Sequence, residues 1–261
     1  MGPQTRGSVI TPRVSVDILT AIRSPAAGLD LTAESLLRVA SAFPNFDLRW
    51  TLVSADLDSA DKTTLISAQQ LLRSIDIFES DGTTYEALNI ALGKVRSDWF
   101  MVLHAGDTLS TAIGAVDLPG LDNQKIHCFV SDQHDIHGMT SRRRKSHSWK
   151  RIMPGSVNHQ AMLFPRGSTA FKYDVQFPVA ADLDLKLLWW RAGALEFHHT
   201  TISSCLTGGR SMRVYSWAML RERVIEDYAV FRRHYGVAAS ICLVSMRGLR
   251  QLGLWLSPSS H

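Results

Sequence analysis

Cysteine is scarce: Cys128, Cys205 and Cys242 are the three in 261 residues. Odd in number and widely spaced, they make no disulfide framework and read as buried thiols of a reducing compartment. No uninterrupted apolar run reaches the ~18 residues that a membrane span needs. Met1 to Arg13 holds no apolar stretch of the kind that makes a secretory signal. Internal repeats and low-complexity tracts are missing as well. So are Gly-x-Gly-x-x-Gly after the first strand, the phosphate-loop Gly-x-x-x-x-Gly-Lys, Gly-x-Ser-x-Gly and His-Glu-x-x-His. Dinucleotide, P-loop, α/β-hydrolase and zincin chemistry therefore have no support.

What is present is globular in composition. Apolar residues make up 45% and charged ones 20%, which excludes wholesale disorder. The length suits one large domain, or a domain with an appendage. The net charge is only +4, but it is unevenly spread. Residues 141–151 carry six basic groups and no acid, and residues 210–261 carry eight Arg against Glu222, Glu226 and Asp227. Polyanions are natural partners of such stretches, and a solvated charged face is the plain alternative. Trp149 is the one aromatic near the first stretch, so stacking platforms for single-stranded nucleic acid are lacking.

Strand-like and helix-like patterns alternate along the first half. Arg13–Ala21, Phe46–Val53, Ile75–Phe78 and Trp99–Leu103 read as strands; Leu31–Phe43, Thr63–Arg73 and Tyr85–Val95 read as helices. This order predicts a parallel sheet covered by helices, with ligands beyond the carboxyl ends of its strands. Further on, Lys125–Ser131 and Ala161–Phe164 are expected strands, and Leu183–Arg191 and Val214–His234 expected helices. The pairs His134/His137 and His198/His199 have metal-ligand chemistry but no completing set, and read as loop histidines.

The stretch from Glu79 to Asn89 (Glu-Ser-Asp-Gly-Thr-Thr-Tyr-Glu-Ala-Leu-Asn), followed by Leu103-His104-Ala105-Gly106-Asp107, resembles the nucleotide-sugar half of family 2 glycosyltransferases. The likeness is to bacterial members that build surface polysaccharides of the colanic-acid type. Glu79, Asp81, Tyr85, Ala87, Asn89, Gly106 and Asp107 match in register. Downstream, Met153-Pro154 with His159-Gln160, then Ala180-Ala181-Asp182-Leu183-Asp184-Leu185, then Gly208-Gly209-x-Ser211, are similar to further elements of that group. The resemblance implies a GT-A-like, Rossmann-type mixed α/β sheet flanked by helices over residues 1–212, with a C-terminal helical extension over 213–261. It also implies a cytoplasmic enzyme moving a sugar from a nucleoside diphosphate, UDP for preference, to a carbohydrate or lipid-linked acceptor, with inversion.

The resemblance carries roles with it. Asp182 takes the position of the catalytic base, since an acceptor hydroxyl needs one as it attacks the anomeric carbon. Asp81 and Asp56 are expected near the nucleoside, with Tyr85 and Asn89 supporting the pocket, and His159 and Gln160 lining the sugar or acceptor site. Arg144 and Arg210 are expected on the diphosphate. Asp107, with His104 beside it, is expected to hold Mn²⁺ or Mg²⁺, which neutralises a departing diphosphate. The usual Asp-x-Asp pair would fall at 104 and 106, where this chain has His104 and Gly106, so the donor set is thinned and favours Mn²⁺ slightly.

Each residue has a plainer reading when taken alone. Asp182 would be a helix N-cap, Asp107 and Asp81-Gly82 turn residues, and His159 a satisfied core histidine. A non-catalytic nucleotide-sugar binder or scaffold is the competing class. The tail from Val237 mixes Leu249, Leu252, Leu254, Trp255 and Leu256 with Arg247 and Arg250. It suits either an interfacial helix on an anionic membrane, at the inner face of the cytoplasmic membrane, or a helix packed on the domain.

Overall fold

A computed structural model describes residues 14–22, 26, 28–69, 72, 74–134, 140–142, 157–206 and 217–255. The elements run β1 (Val14–Ile22), α1 (Leu29–Ala42), β2 (Phe46–Ser54), α2 (Ser59–Gln69), β3 (Ser74–Glu79), α3 (Thr84–Leu92) and β4 (Trp99–Val102). There follow β5 (Thr108–Leu109), β6 (Ile126–His134), β7 (Thr140–Arg142), β8 (Met162–Pro165), α4 (Ala181–Arg191), β9 (Leu195–Leu206), α5 (Trp217–Tyr235) and α6 (Val237–Trp255). One mixed sheet has the order β3-β2-β1-β4-β8-β6-β9-β5, with β7 on β6. The first four strands in that order are mutually parallel; β8 runs antiparallel to both β4 and β6, so β6 and its parallel neighbour β9 point the same way as β4.

Strands β4 and β8 at the middle of the sheet are apolar without interruption because both sheet faces are covered. Met101 and Leu103 join one core with α1 and α2, while Val102 between them joins the other with α3, α4 and α5. Met162, Leu163 and Phe164 divide in the same alternating way. The buried Asp17 carboxylate accepts the Arg96 and Ser97 amides at 2.7 and 2.8 Å and so fixes the turn into β4.

Several elements differ from the sequence reading. Helix α2 begins at Ser59, four residues before the expected Thr63, because the Asp58 carboxylate accepts the Asp61 amide and supplies a start signal. Strand β9 was not expected at all; His198 and His199 lie within it rather than in a loop. Cys128 and Cys205 are buried, but Cys242 is exposed on α6, which corrects the expectation of three buried thiols. Helix α5 is bound closely to the sheet domain: Val230 and Phe231 are core residues, and Arg233 bridges Asp174 and Asp184 at 2.8 and 3.0 Å. Among the described residues no helix is long and apolar enough to cross a membrane.

Candidate active site

The carboxyl ends of β1, β2, β3 and β4 lie along one edge, as parallel pairing requires. There the turn before α1 meets the loop 104–107. Gly28 and Gly106 both have positive φ, +81° and +90°. A Cβ on Gly28 would sit 2.8 Å from the Gly106 Cα, so the two backbones touch where no side chain fits. Thr32 of α1 clamps the loop: its hydroxyl donates to the Asp107 carbonyl at 2.8 Å and accepts the Gly106 amide at 2.9 Å. From the other side His134 Nε2 lies 2.9 Å from the Gly106 carbonyl, while its Nδ1 lies 2.8 Å from the Ser204 hydroxyl. A carbonyl only accepts, so Nε2 carries the hydrogen and Nδ1 accepts from Ser204.

Asp107 is committed to the same loop. Oδ2 accepts the His104 amide at 2.9 Å, Oδ1 accepts the Leu206 amide at 3.0 Å, and the residue is 4% exposed. Burial raises its pKa, against the pull of these bonds and of His104.

Asp182 stands at the start of α4. It is not the N-cap, which is Ala180 without a side-chain bond; that helix start is held by Glu226 of α5, whose Oε2 accepts the Val179 and Ala180 amides at 2.9 Å each. The Asp182 carboxylate is free for other partners. Oδ1 accepts the Tyr85 hydroxyl at 3.2 Å and Oδ2 accepts Lys186 Nζ at 2.7 Å, one helical turn on. The side chain keeps 28% exposure, whereas Lys186 is almost fully buried and also donates to the Val157 carbonyl at 3.3 Å.

Around this pair the network closes. Tyr85 stacks on Tyr173, ring centroids 5.2 Å apart. Tyr173 shares a hydrogen bond of 2.6 Å with His159 Nε2. Asn89 holds the Tyr173 backbone on both sides, donating to its carbonyl at 2.9 Å and accepting its amide at 2.8 Å. Tyr85, Asn89, His159 and Asp182, far apart in the chain, thus form one connected cluster. Burial, the largest influence, would raise the Asp182 carboxyl, but the Lys186 ammonium together with His159 and Arg247 outweighs it and holds the group well below the usual carboxylate range. Burial pushes the His159 imidazole down to about 3, helped by Lys186 and His104 and opposed by Asp182. Burial, then the Asp182 charge, raises both Tyr85 and Tyr173, so both phenols stay protonated.

The expected residues are brought together unevenly. His104 acts electrostatically on both Asp107 and His159, which puts the loop and the Asp182 cluster in one neighbourhood. Asp56 and Asp81 are exposed just beyond β2 and β3, whose ends are joined by the Ser80 amide donating to the Ser54 carbonyl at 2.9 Å. Gln160 is half-buried beside His159. Arg144, Arg210, Met153-Pro154 and Gly208-Gly209 lie outside the described residues. Thr32, Tyr173 and Lys186 were missed by the sequence reading, and His134, read there as a loop histidine, is a buried residue at the end of β6. Of these, Lys186 carried a readable signal: four residues after Asp182 on a helix, it had to face that carboxylate.

Among the described residues the expected divalent metal finds a poor seat. Asp107 has both oxygens engaged by amides and little exposure, Gly106 has no side chain, and His104 offers a single imidazole. A hard dication such as Mg²⁺ takes several oxygen ligands, which this set does not provide.

No family model and no curated protein matches the chain. Among solved structures it is similar to S. aureus TarS residues 1–349 in complex with UDP-GlcNAc, with a TM-score of 0.63 at 6% identity, covering 95% of this chain and 74% of that one. It spans 44% of the longer TarS chain at a TM-score of 0.63 and 7% identity. It is also similar to the mannosyltransferase PcManGT from Pyrobaculum calidifontis in complex with GDP-Man and Mn²⁺, with a TM-score of 0.60 at 12% identity over 97% of this chain and 78% of that one. At such identities the likeness is one of fold, and the fold is a GT-A-like α/β domain, shared with that mannosyltransferase.

Proposed function

We propose that the chain is a glycosyltransferase that moves a sugar from a nucleoside diphosphate, UDP for preference, to a carbohydrate or lipid-linked acceptor, with inversion, in surface-polysaccharide synthesis. One observation carries this reading: Tyr85, Asn89, His159 and Asp182 meet in one cluster, two hydrogen-bonded groups joined by the Tyr85–Tyr173 ring stack, at the edge where this fold class binds ligands. The neighbours crystallised with UDP-GlcNAc and GDP-Man support the donor class.

In this reading the acceptor oxygen bonds to the anomeric carbon as the bond from that carbon to the diphosphate oxygen breaks. The acceptor proton passes to Asp182, which Lys186 keeps ionised for that purpose. Neutral His159 and Gln160 bond to sugar or acceptor hydroxyls, and Asp81 and Asp56 lie on the nucleoside side. Since the donor set around Asp107 does not suit a dication, no step is assigned to one; the diphosphate charge is assigned to Arg144 and Arg210, and Asp107 to shaping the loop.

The thinned donor set also favours a second reading, a binder of nucleotide sugars without turnover. Incubating purified protein with a panel of UDP- and GDP-sugars, with and without EDTA, separates the two. The enzyme releases free nucleoside diphosphate slowly from one donor by hydrolysis, with or without chelator. A binder shows a thermal shift with the donor and no release, and a protein that does neither contradicts both readings.

A further inference from the structure

At the opposite end of the sheet, where β6 and β9 begin, three side chains converge. His127 of β6 is paired in register with Glu196 of β9, and His198 follows two residues on, so strand alternation puts Glu196 and His198 on one face. His127 Nδ1 and His198 Nε2 are 2.9 Å apart; the Glu196 carboxylate lies 3.7 Å from His198 Nε2 and 4.0 Å from His127 Nδ1.

The inner histidine is already set for ligation. His127 Nε2 is 3.0 Å from the Asp122 carbonyl, which only accepts, so the hydrogen sits on Nε2 and the Nδ1 lone pair faces the cluster. Metal-bound histidines are oriented in this way, by donating the other ring N–H to a carbonyl or carboxylate. Both rings are held in place: His127 is buried edge-on against Trp99, and His198 stacks on Phe129 with centroids 4.6 Å apart. With Zn–N bonds of about 2.0–2.1 Å, tetrahedral donors stand about 3.3 Å apart, a spacing that the three observed distances bracket. The Glu196 side chain is half exposed, which leaves a fourth position to water.

We propose that His127, Glu196 and His198 bind a Zn²⁺-class transition dication, which ties the start of β9 to β6. Two imidazoles and one carboxylate suit Zn²⁺ and Co²⁺, whereas Mg²⁺ prefers oxygen alone. For the metal to bind, His198 takes its other neutral tautomer, with the hydrogen on Nδ1, and gives up its hydrogen bond to His127. The site is independent of the proposed sugar transfer, because it lies where β6 and β9 begin, whereas these strands bond to the candidate active site near their far ends, as through His134 and Leu206.

The test uses the full chain, stripped with a chelator and dialysed. Calorimetric titration with Zn²⁺ is expected to show one site per chain that is at least tenfold weaker in Glu196→Gln and lost in His198→Asn. The Co²⁺-loaded protein is expected to show the intense visible absorption of a tetrahedral site, and Zn²⁺, unlike Mg²⁺, to raise the Tm. Zn²⁺ affinity unchanged in Glu196→Gln, which is half exposed and keeps its shape, would overturn the assignment even if His198→Asn fails to fold. So would equal stabilisation by Mg²⁺, or Co²⁺ uptake without those bands.

Discussion

Lys186 is the strongest charge acting on Asp182. Burial alone would favour the protonated acid, and the ammonium 2.7 Å away, with His159 and Arg247, reverses that preference. Lys186→Met therefore raises the Asp182 pKa, and the acid limb of a kcat/KM–pH profile moves up by about 1–3 units; an unmoved limb would mean that the ion pair does not set the ionisation. The residues of this cluster were legible to different degrees. Tyr85, Asn89, His159 and Asp182 were readable because each sits in a short motif with fixed neighbours. Tyr173 was not: its role comes from Asn89 gripping its backbone from α3, a contact between distant segments that no local pattern records. Asp107 was legible as a position, but its hold on the loop was not, since the two amides that its oxygens accept come from its own loop and from the end of β9.

Among the elements, the loop 104–107 depends on two glycines with positive φ in mutual contact. Gly28→Ala places a methyl against the Gly106 backbone and strains φ, at an expected cost of about 1–3 kcal/mol read from the urea midpoint; an unchanged midpoint would mean that the two turns do not touch. The start of α4 depends on Glu226. Glu226→Ala leaves the Val179 and Ala180 amides without their acceptor and costs about 1–3 kcal/mol, while Glu226→Gln keeps one acceptor oxygen and loses less. Equal losses in the two variants would argue against the cap. Most strands and helices were legible because the buried runs and helical periods are long. β9 was hidden by its composition: Glu196, His198, His199 and two threonines break the apolar alternation, and its first half is largely exposed. Its pairing with β6 supplies the order that its own sequence lacks.

For the whole molecule, pH links the site to stability. His159 has a folded-state pKa of about 3 against an ordinary 6.5, so between those values the unfolded chain binds the extra proton. The His159 contribution to stability is therefore fully present above 6.5 and falls as pH drops toward 3, by up to roughly 1.4 kcal/mol per pH unit. Asp182, also held low, adds a loss in the same direction only below the ordinary carboxylate range. Asp107, raised by burial, acts with the opposite sign, its contribution fading as pH rises through its folded value. Urea titrations across this range should show the slope in the wild type and a shallower one in His159→Gln; equal slopes would mean that His159 is not buried neutral. The parallel half of the sheet and its covering helices were foreseeable from alternation, but the docking of α5 was not, because it rests on Glu226, Arg233 and His234 reaching α4 across the fold. We propose that Asp182 takes the acceptor proton and that the donor binds without its help. The direct test is Asp182→Asn, measured for donor affinity and for transfer rate on the same sample. The account predicts unchanged donor affinity with transfer reduced by about 10²–10⁴-fold, and near-wild-type transfer would contradict it.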